Sequence, residues 1–413
     1  MKRGYLSQYF EGVALKQLSV VEADVIRSHQ HEFNGVEGLR EILGEPEGKV
    51  RFPTRFLYLS DDDNEPVVDD GFLTWYDARE RGRRERGVMR WEYRLYFPEN
   101  LVSQCAAAGD LLVIARQSGG NLLAIVAEHG TTIECQLLWL FDASDLTHPG
   151  FSVRSELETE QDRIGFATRV VLEQIGVDIE EEAPSYLDQM LEKFDGLFPK
   201  TTEFSAYARG TIPDLSARDD PDAALLAWME REEILFRTLE KHLLGEKLQG
   251  LVQEGVDDPE PFIAVIQSAL QRRKSRAGSA LENHLENVFA ANGVTYIRTG
   301  VTEIYHKPDF IFPSLAQYHD ASFPQARLTM LAAKSTCKDR WRQILNEAAR
   351  IPDKHLLTLE PSISERQTDE MNSEHVRLVL PRGLHPTYTV AQQTWLMDVA
   401  TFITLVRTRQ NSC

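Results

Sequence analysis

Four short apolar runs in the second half of the chain limit its fold more than any other feature. They are PDFIFP (308–313), RLTMLAAKST (327–336), HLLTL (355–359) and VRLVLP (376–381). None alternates apolar with polar residues, so each reads as a strand covered on both faces. Amphipathic helices stand around them. DAALLAWMEREEILFRTLEKHLL is preceded by DDP and followed by Gly245, and PFIAVIQSALQRRKSRAG ends in a basic cluster. SALENHLENVFAANG places Leu281, Leu285 and Val288 on one face, with Gly293 as a C-cap. DRWRQILNEAARI reads as a helix between the second and third strands. This order predicts an α/β fold over residues 196–413, a mixed sheet flanked by helices.

The first part of the chain has a different texture. RFLYLS (55–60), WEYRLYF (91–97), DLLVIARQ (110–117), NLLAIVAEHG (121–130) and IECQLLWLF (133–141) all read as strands, and SGGN (118–121) reads as a tight turn. A mainly β domain over residues 1–150, barrel or sandwich, is the expectation. Residues 155–195 then hold twelve acids against three bases, so 151–195 reads as an acidic linker with little core of its own.

A chain of 413 residues is long enough for two or three cores. No apolar run approaches the roughly 18 residues needed to span a bilayer, and MKRGYLSQYF has no apolar segment of the kind a signal peptide carries. Cys105, Cys135, Cys337 and Cys413 lack paired spacing, which fits neither a zinc ribbon nor a disulfide scaffold and suits a reducing cytoplasm. The net charge of −19 argues against a basic nucleic-acid coat protein. It leaves open a DNA enzyme that concentrates positive charge in one cleft.

One of the apolar strands carries Lys334, and a buried ammonium needs a carboxylate partner. Asp309 opens the preceding strand, Glu347 follows Lys334 by thirteen residues, and Glu282 lies beside the apolar stripe of an earlier helix. Carboxylates with a lysine can hold Mg²⁺ and a water for phosphodiester hydrolysis. The same residues are compatible with a structural ion pair. RERGRRERGVMRWEYR (79–94) holds seven arginines and Trp91, which suits a DNA-contact loop or a solvated one.

RRKSRAGSALENHLENVF (272–289), KPDFIFPSLAQYHDASFP (307–324) and LAAKSTCKDRWRQILNEA (331–348) resemble, in order, the catalytic domain of the EcoRII-type restriction endonucleases. The resemblance covers roughly residues 200–400. It implies a PD-(D/E)XK nuclease with an αβββα core, in the group that recognises sites built on CC and GG. The usual pattern has an acid two residues before the lysine, where this chain has Ala332. The resemblance implies that Glu347 supplies that carboxylate, that Asp309 is the principal metal ligand, that Glu282 is a further ligand or positions water, and that Lys334 is the catalytic lysine. It also implies that Lys338, Asp339 and Arg340 read C and G bases, a role their donors and acceptor suit. Arg272, Arg273, Lys274 and Arg276 would touch phosphates or simply end a helix favourably.

YFEGVALKQLS and SHQHEFNGVEGLREILG resemble the start of that family's N-terminal effector domain, a β pseudobarrel. This implies DNA contacts from Arg79, Arg81, Arg83, Arg84, Arg90 and Arg94, with Lys16 and His29 as weaker candidates. The expectation is a Type II, effector-activated (Type IIE) endonuclease making Mg²⁺-dependent double-strand cuts, CCWGG favoured. It would be a homodimer engaging two copies of its site in double-stranded DNA, away from membranes, with a companion DNA methyltransferase. The alternative is a non-cleaving DNA-binding protein on the same fold, specific for a sequence or a modified base. His29 and His31 would share a strand face, but no third metal ligand stands near them in sequence. Tyr318, His319 and Asp320 suit a phosphate contact or an ordinary loop, and no histidine constellation makes Cys337 a nucleophile.

Overall fold

The structure is a computed structural model. It describes all residues except 1, 3, 25–30, 62–65, 88–89, 144–145, 147–149, 178, 180–182, 254–258, 304–305, 336–340, 362 and 412–413. The chain divides into two units. One comprises residues 1–179 with 361–365 and 386–389, and the other comprises 180–360, 366–385 and 390–413.

The first unit is built on eight strands: β1 (Phe10–Gln17), β2 (Glu32–Asn34), β3 (Val50–Leu59), β4 (Val67–Asp77), β5 (Tyr93–Tyr96), β6 (Leu111–Gln117), β7 (Leu122–Ala127) and β8 (Ser152–Arg154). Their order is β2-β5-β4-β3-β7-β6-β1-β8, and every neighbouring pair is antiparallel except β3 with β7. The expected turn joins β6 to β7, with Gly120 at φ +82°, a conformation that favours glycine. Val13, Leu15, Leu111, Val113, Leu123 and Ile125 face one core, and Ala14, Leu112, Ile114, Ala124 and Val126 face another. The alternation follows from the two-residue period of a strand, so β1, β6 and β7 are buried on both sides.

Three expectations for this half are corrected. IECQLLWLF is not a strand but lies within helix Thr132–Leu140 with its C-cap Phe141. Its start is capped: the Thr131 hydroxyl accepts the Glu134 N–H, and the Asp61 carboxylate accepts the N–H groups of Thr132 and Ile133. The arginine-rich stretch is also partly helical, over Glu80–Arg86. Residues 151–195 are divided between the two units rather than standing apart as a linker. β8 pairs with β1, and Leu157, Val171, Leu172, Ile175 and Val177 join the first core. Met190, with no exposed surface, joins a core of the second unit. The acids of this stretch sit between apolar residues at helical spacing, so charge content alone concealed the core face.

The second unit carries the expected mixed sheet, ordered β13-β12-β11-β10-β9. Its strands are β9 (Ile297–Arg298), β10 (Phe310–Phe312), β11 (Thr329–Lys334), β12 (Lys354–Thr358) and β13 (Val376–Val379). The β9–β10–β11 pairings are antiparallel, and β11–β12–β13 are parallel. All residues of β10 and β12 are buried, as the unbroken apolar runs required. The long helices are α1 (Pro221–Gln253) and α2 (Glu260–Ala291), the latter continuous where two helices had been expected. Phe289 of α2 meets Phe310 and Phe312 edge-on, each with ring centroids 5.3 Å apart. This contact fixes α2 against β10 and so places Glu282, two turns earlier, beside the same sheet.

Candidate active site

Asp309 precedes β10, and Lys334 ends β11. In the antiparallel register Phe310 faces Leu331, so both residues lie at one end of the two strands. Asp309 Oδ2 accepts the Ala333 backbone N–H at 2.8 Å and the Lys334 ammonium at 2.8 Å. The partner that makes Lys334 tolerable is therefore Asp309. Ala332, where the usual acid would stand, is fully buried.

Glu347 follows a 3-10 helix, Trp341–Asn346, and is not on the α-helix expected there. Trp341 and Ile344 are buried beneath it, and the Lys354 ammonium donates to its backbone carbonyl. Burial pushes the Glu347 carboxyl above the ordinary carboxylate range. The Lys334 charge opposes the shift, and the Asp309 charge adds to it. Glu347 Oε2 is buried and has no hydrogen-bond partner among the described residues. Glu282 is likewise pushed up by burial, and there too Asp309 adds and Lys334 opposes. Its Oε2 accepts two bonds from Arg298, at 3.0 Å from Nε and 2.7 Å from Nη2. The fold thus brings all three carboxylates within electrostatic reach of Lys334.

Two of these acids have a bonded cation, Asp309 with Lys334 and Glu282 with Arg298. Glu347 instead carries a buried oxygen with no donor among the described residues. A hard cation with oxygen ligands satisfies such an atom, so the donor set fits Mg²⁺. Among the described residues no group of three or more His, Cys, Asp or Glu is already gathered closely enough to hold a metal ion. The carboxylates would therefore have to close on it. Sequence reasoning missed Arg298, and also His306, whose charge acts on Glu347. A clue to Arg298 existed only in the fold, since sixteen residues separate it from Glu282.

The basic candidates fare unequally. Arg276 is buried, paired with Glu232 and packed over Phe236, so it is not a phosphate contact. Arg273 pairs with Glu240 at 2.6 Å, Arg272 lies over the Phe198 ring, and Lys274 is exposed. Lys16 is also withdrawn from the DNA candidates: it is buried and bonded to Glu22 at 2.5 Å. Arg79 and Arg94 both pair with Glu92, while Arg83 pairs with Asp77 and lies over Trp91 at 3.4 Å. Arg81, Arg84 and Arg90 are exposed, the first two in one-turn pairs with Glu85 and Glu80. Lys338, Asp339, Arg340, Cys337 and His29 lie outside the described residues. His31 packs beside Phe97. Tyr318 is buried and donates to Glu303 at 2.6 Å, a structural bond rather than a phosphate contact.

An acid–lysine pair at the ends of two adjacent strands of a mixed sheet, with a further acid on the helix beside it, is the arrangement expected from the PD-(D/E)XK resemblance. Residues 236–403 match the family model described as the EcoRII C terminal. The Type II restriction enzyme EcoRII of Escherichia coli is 43% identical over 208 residues, which is 50% of this chain and 50% of that enzyme. Over that range the chain is similar to EcoRII, and it spans about half the length of the curated relative it matches. Similar solved structures include metal-depleted Ecl18kI in complex with uncleaved DNA, at 17% identity and TM-score 0.47, covering 56% of this chain and 87% of that one. A PspGI–substrate DNA complex gives 16% identity and TM-score 0.43, covering 52% and 94%.

Proposed function

We propose that this chain is a Type II restriction endonuclease that hydrolyses both strands of DNA at a short CC/GG-containing site, CCWGG favoured. The observation that carries the reading is the Asp309–Lys334 contact at 2.8 Å, with the buried Glu347 carboxyl in electrostatic reach of both and its Oε2 without a donor among the described residues. Sequence identity to EcoRII across this region supports it. Asp309, Glu347 and Glu282 would hold Mg²⁺, which when bound stabilises the phosphate charge and acidifies a water. Lys334 would release Asp309 to the metal and orient the attacking water against the scissile phosphate, offsetting its charge. Lys338, Asp339 and Arg340 would read base edges, and Lys274 with Arg272 and Arg273 would position phosphates.

The enzyme would act in the cytoplasm as a homodimer through its C-terminal unit, one site per strand, with a companion methyltransferase protecting host DNA. No helix among the described residues is long and apolar enough to cross a membrane. The N-terminal unit would bind a second copy of the site, a Type IIE arrangement, through Arg81, Arg84 and Arg90. A pseudobarrel form for that unit is supported by its core, where Ala14, Phe33, Phe52, Leu73, Leu95, Leu112 and Leu122, from seven strands, enclose one cluster.

Plasmid with CCWGG sites, incubated with protein and Mg²⁺, should be cut at those sites. Binding by gel shift with no cutting, even with added effector duplex, would establish the non-cleaving alternative instead.

A further inference from the structure

Arg298 makes four side-chain hydrogen bonds, all to one turn of α2. Beyond the two to Glu282 Oε2, its Nη1 donates to Asn283 Oδ1 at 2.9 Å and to Glu286 Oε2 at 2.6 Å. Positions 282, 283 and 286 share a helix surface, so the planar guanidinium lies across it with its donors spread over three acceptors. The backbone beneath is tied to the other side of the site. Arg298 pairs with Phe310 in the β9–β10 register, and the next residue, Thr299, donates to the Asp309 carbonyl at 3.0 Å. One residue therefore joins the helix bearing Glu282 to the strand that follows Asp309.

Two carboxylates brought together without cations repel each other and favour protonation. Anchoring one oxygen of Glu282 fixes its carboxylate plane, because both Arg298 bonds converge on Oε2 and neither engages Oε1. We propose that Arg298 is a positioning residue of the metal site, clamping Glu282 by Oε2 so that Oε1 stays available to a divalent cation when the carboxylates close on it. The proposal rests on the reading of Glu282 as a site carboxylate. A mere helix-to-strand tie is the competing account, and the bonds to Asn283 and Glu286 alone would serve it.

The test compares Arg298→Ala, Arg298→Lys and Glu286→Gln with the parent chain, using a duplex that carries CCWGG. Mn²⁺ binding to the protein–duplex complex is read by electron paramagnetic resonance in a Lys334→Ala background, so that the duplex stays whole. The Mg²⁺ concentration for half-maximal cleavage is read in the otherwise native chain. Arg298→Ala should weaken Mn²⁺ binding by about tenfold or more, the usual effect of removing a group that orients a ligand. It should raise the Mg²⁺ requirement in parallel and leave duplex affinity within about twofold, since no donor to DNA is lost. Arg298→Lys should recover part of the loss, because an ammonium can bond one Glu282 oxygen but cannot form the fork. Glu286→Gln should leave Mn²⁺ affinity unchanged. Unchanged Mn²⁺ affinity in both Arg298 variants, whatever happens to melting temperature, overturns the proposal. Should Arg298→Ala not fold, Arg298→Lys decides: intermediate Mn²⁺ affinity supports the clamp, and native affinity refutes it. Absence of Mg²⁺-dependent cutting by the parent chain would instead defeat the nuclease reading, while the Mn²⁺ comparison would still judge Arg298.

Discussion

Lys334 and Glu347 are two solutions to the same problem, a charge removed from water. Lys334 is compensated by Asp309 at 2.8 Å, and its burial is partial. Glu347 is not compensated by any hydrogen bond to Oε2 among the described residues, and its carboxyl is pushed above the ordinary range. A carboxyl raised in the folded state holds its proton more tightly there than in the unfolded chain. It therefore withdraws stability as pH rises above its unfolded value, and the loss persists at neutral pH. Glu347→Gln should accordingly raise the melting temperature of the metal-free protein at pH 7. That gain should vanish near about pH 3, where both carboxyl forms are protonated. Scanning calorimetry at the two pH values checks this, and a lower melting temperature at pH 7 would contradict it. The same variant, and Lys334→Ala, should lose cleavage by about a hundredfold or more while keeping duplex binding. Asp309 and Lys334 were legible in the sequence because a charged residue in an apolar strand demands a partner. Arg298 was not, since its three acceptors lie on a helix whose approach only the packing of Phe289 establishes.

Elements were legible where their period and length agreed. β10 to β13 are short, apolar and bounded by turns, and they were read with nearly their observed limits. The helix at Thr132–Leu140 was misread because nine mostly apolar residues satisfy a buried strand as well as a buried helix; the cap at Thr131 and Glu134 was the discriminating signal. The acidic stretch was misread for the converse reason, with composition outweighing the placement of Val171, Leu172 and Met190. Some ties between elements lie wholly beyond sequence reading. Asp222, at the start of α1, accepts the Arg382 and Val399 N–H groups through Oδ1 at 3.0 and 2.9 Å, and the Ala400 N–H through Oδ2 at 3.1 Å. It thereby caps the helix Val399–Asn411 from a position 177 residues away. Asp222→Ala strips three donors of their acceptor and should cost about 3 kcal/mol, with Asp222→Asn costing less because one acceptor oxygen remains. Urea unfolding midpoints measure both, and equal midpoints for Asp222→Ala and the parent would show that water replaces the carboxylate.

At the scale of the whole chain, a net charge of −19 opposes approach to DNA, so the affinity that the proposed function requires would have to come from local positive surface. The structure narrows where that surface can lie in the N-terminal unit. Arg83 and Arg94 are half-buried and engaged with Asp77 and Glu92, Arg79 is exposed but held to Glu92 at 2.5 Å, and Lys16 is interior, which leaves Arg81, Arg84 and Arg90 as the candidates most open to a phosphate among the described residues. The one-turn pairs of Arg81 and Arg84 with glutamates are solvent-exposed and worth only a few tenths of a kcal/mol each, so phosphates can displace the glutamates at little cost. Each phosphate neutralised releases condensed counterions and steepens the fall of log affinity with log salt by about 0.9. Changing all three arginines to glutamine should therefore flatten the slope for binding to the second DNA copy by about 2 to 3. Cleavage of a plasmid bearing several sites should fall with it, while Lys334 chemistry on a site already held stays intact. Titrating a labelled CCWGG duplex at several salt concentrations gives the slopes directly. A slope unchanged from the parent would remove these arginines from the DNA surface.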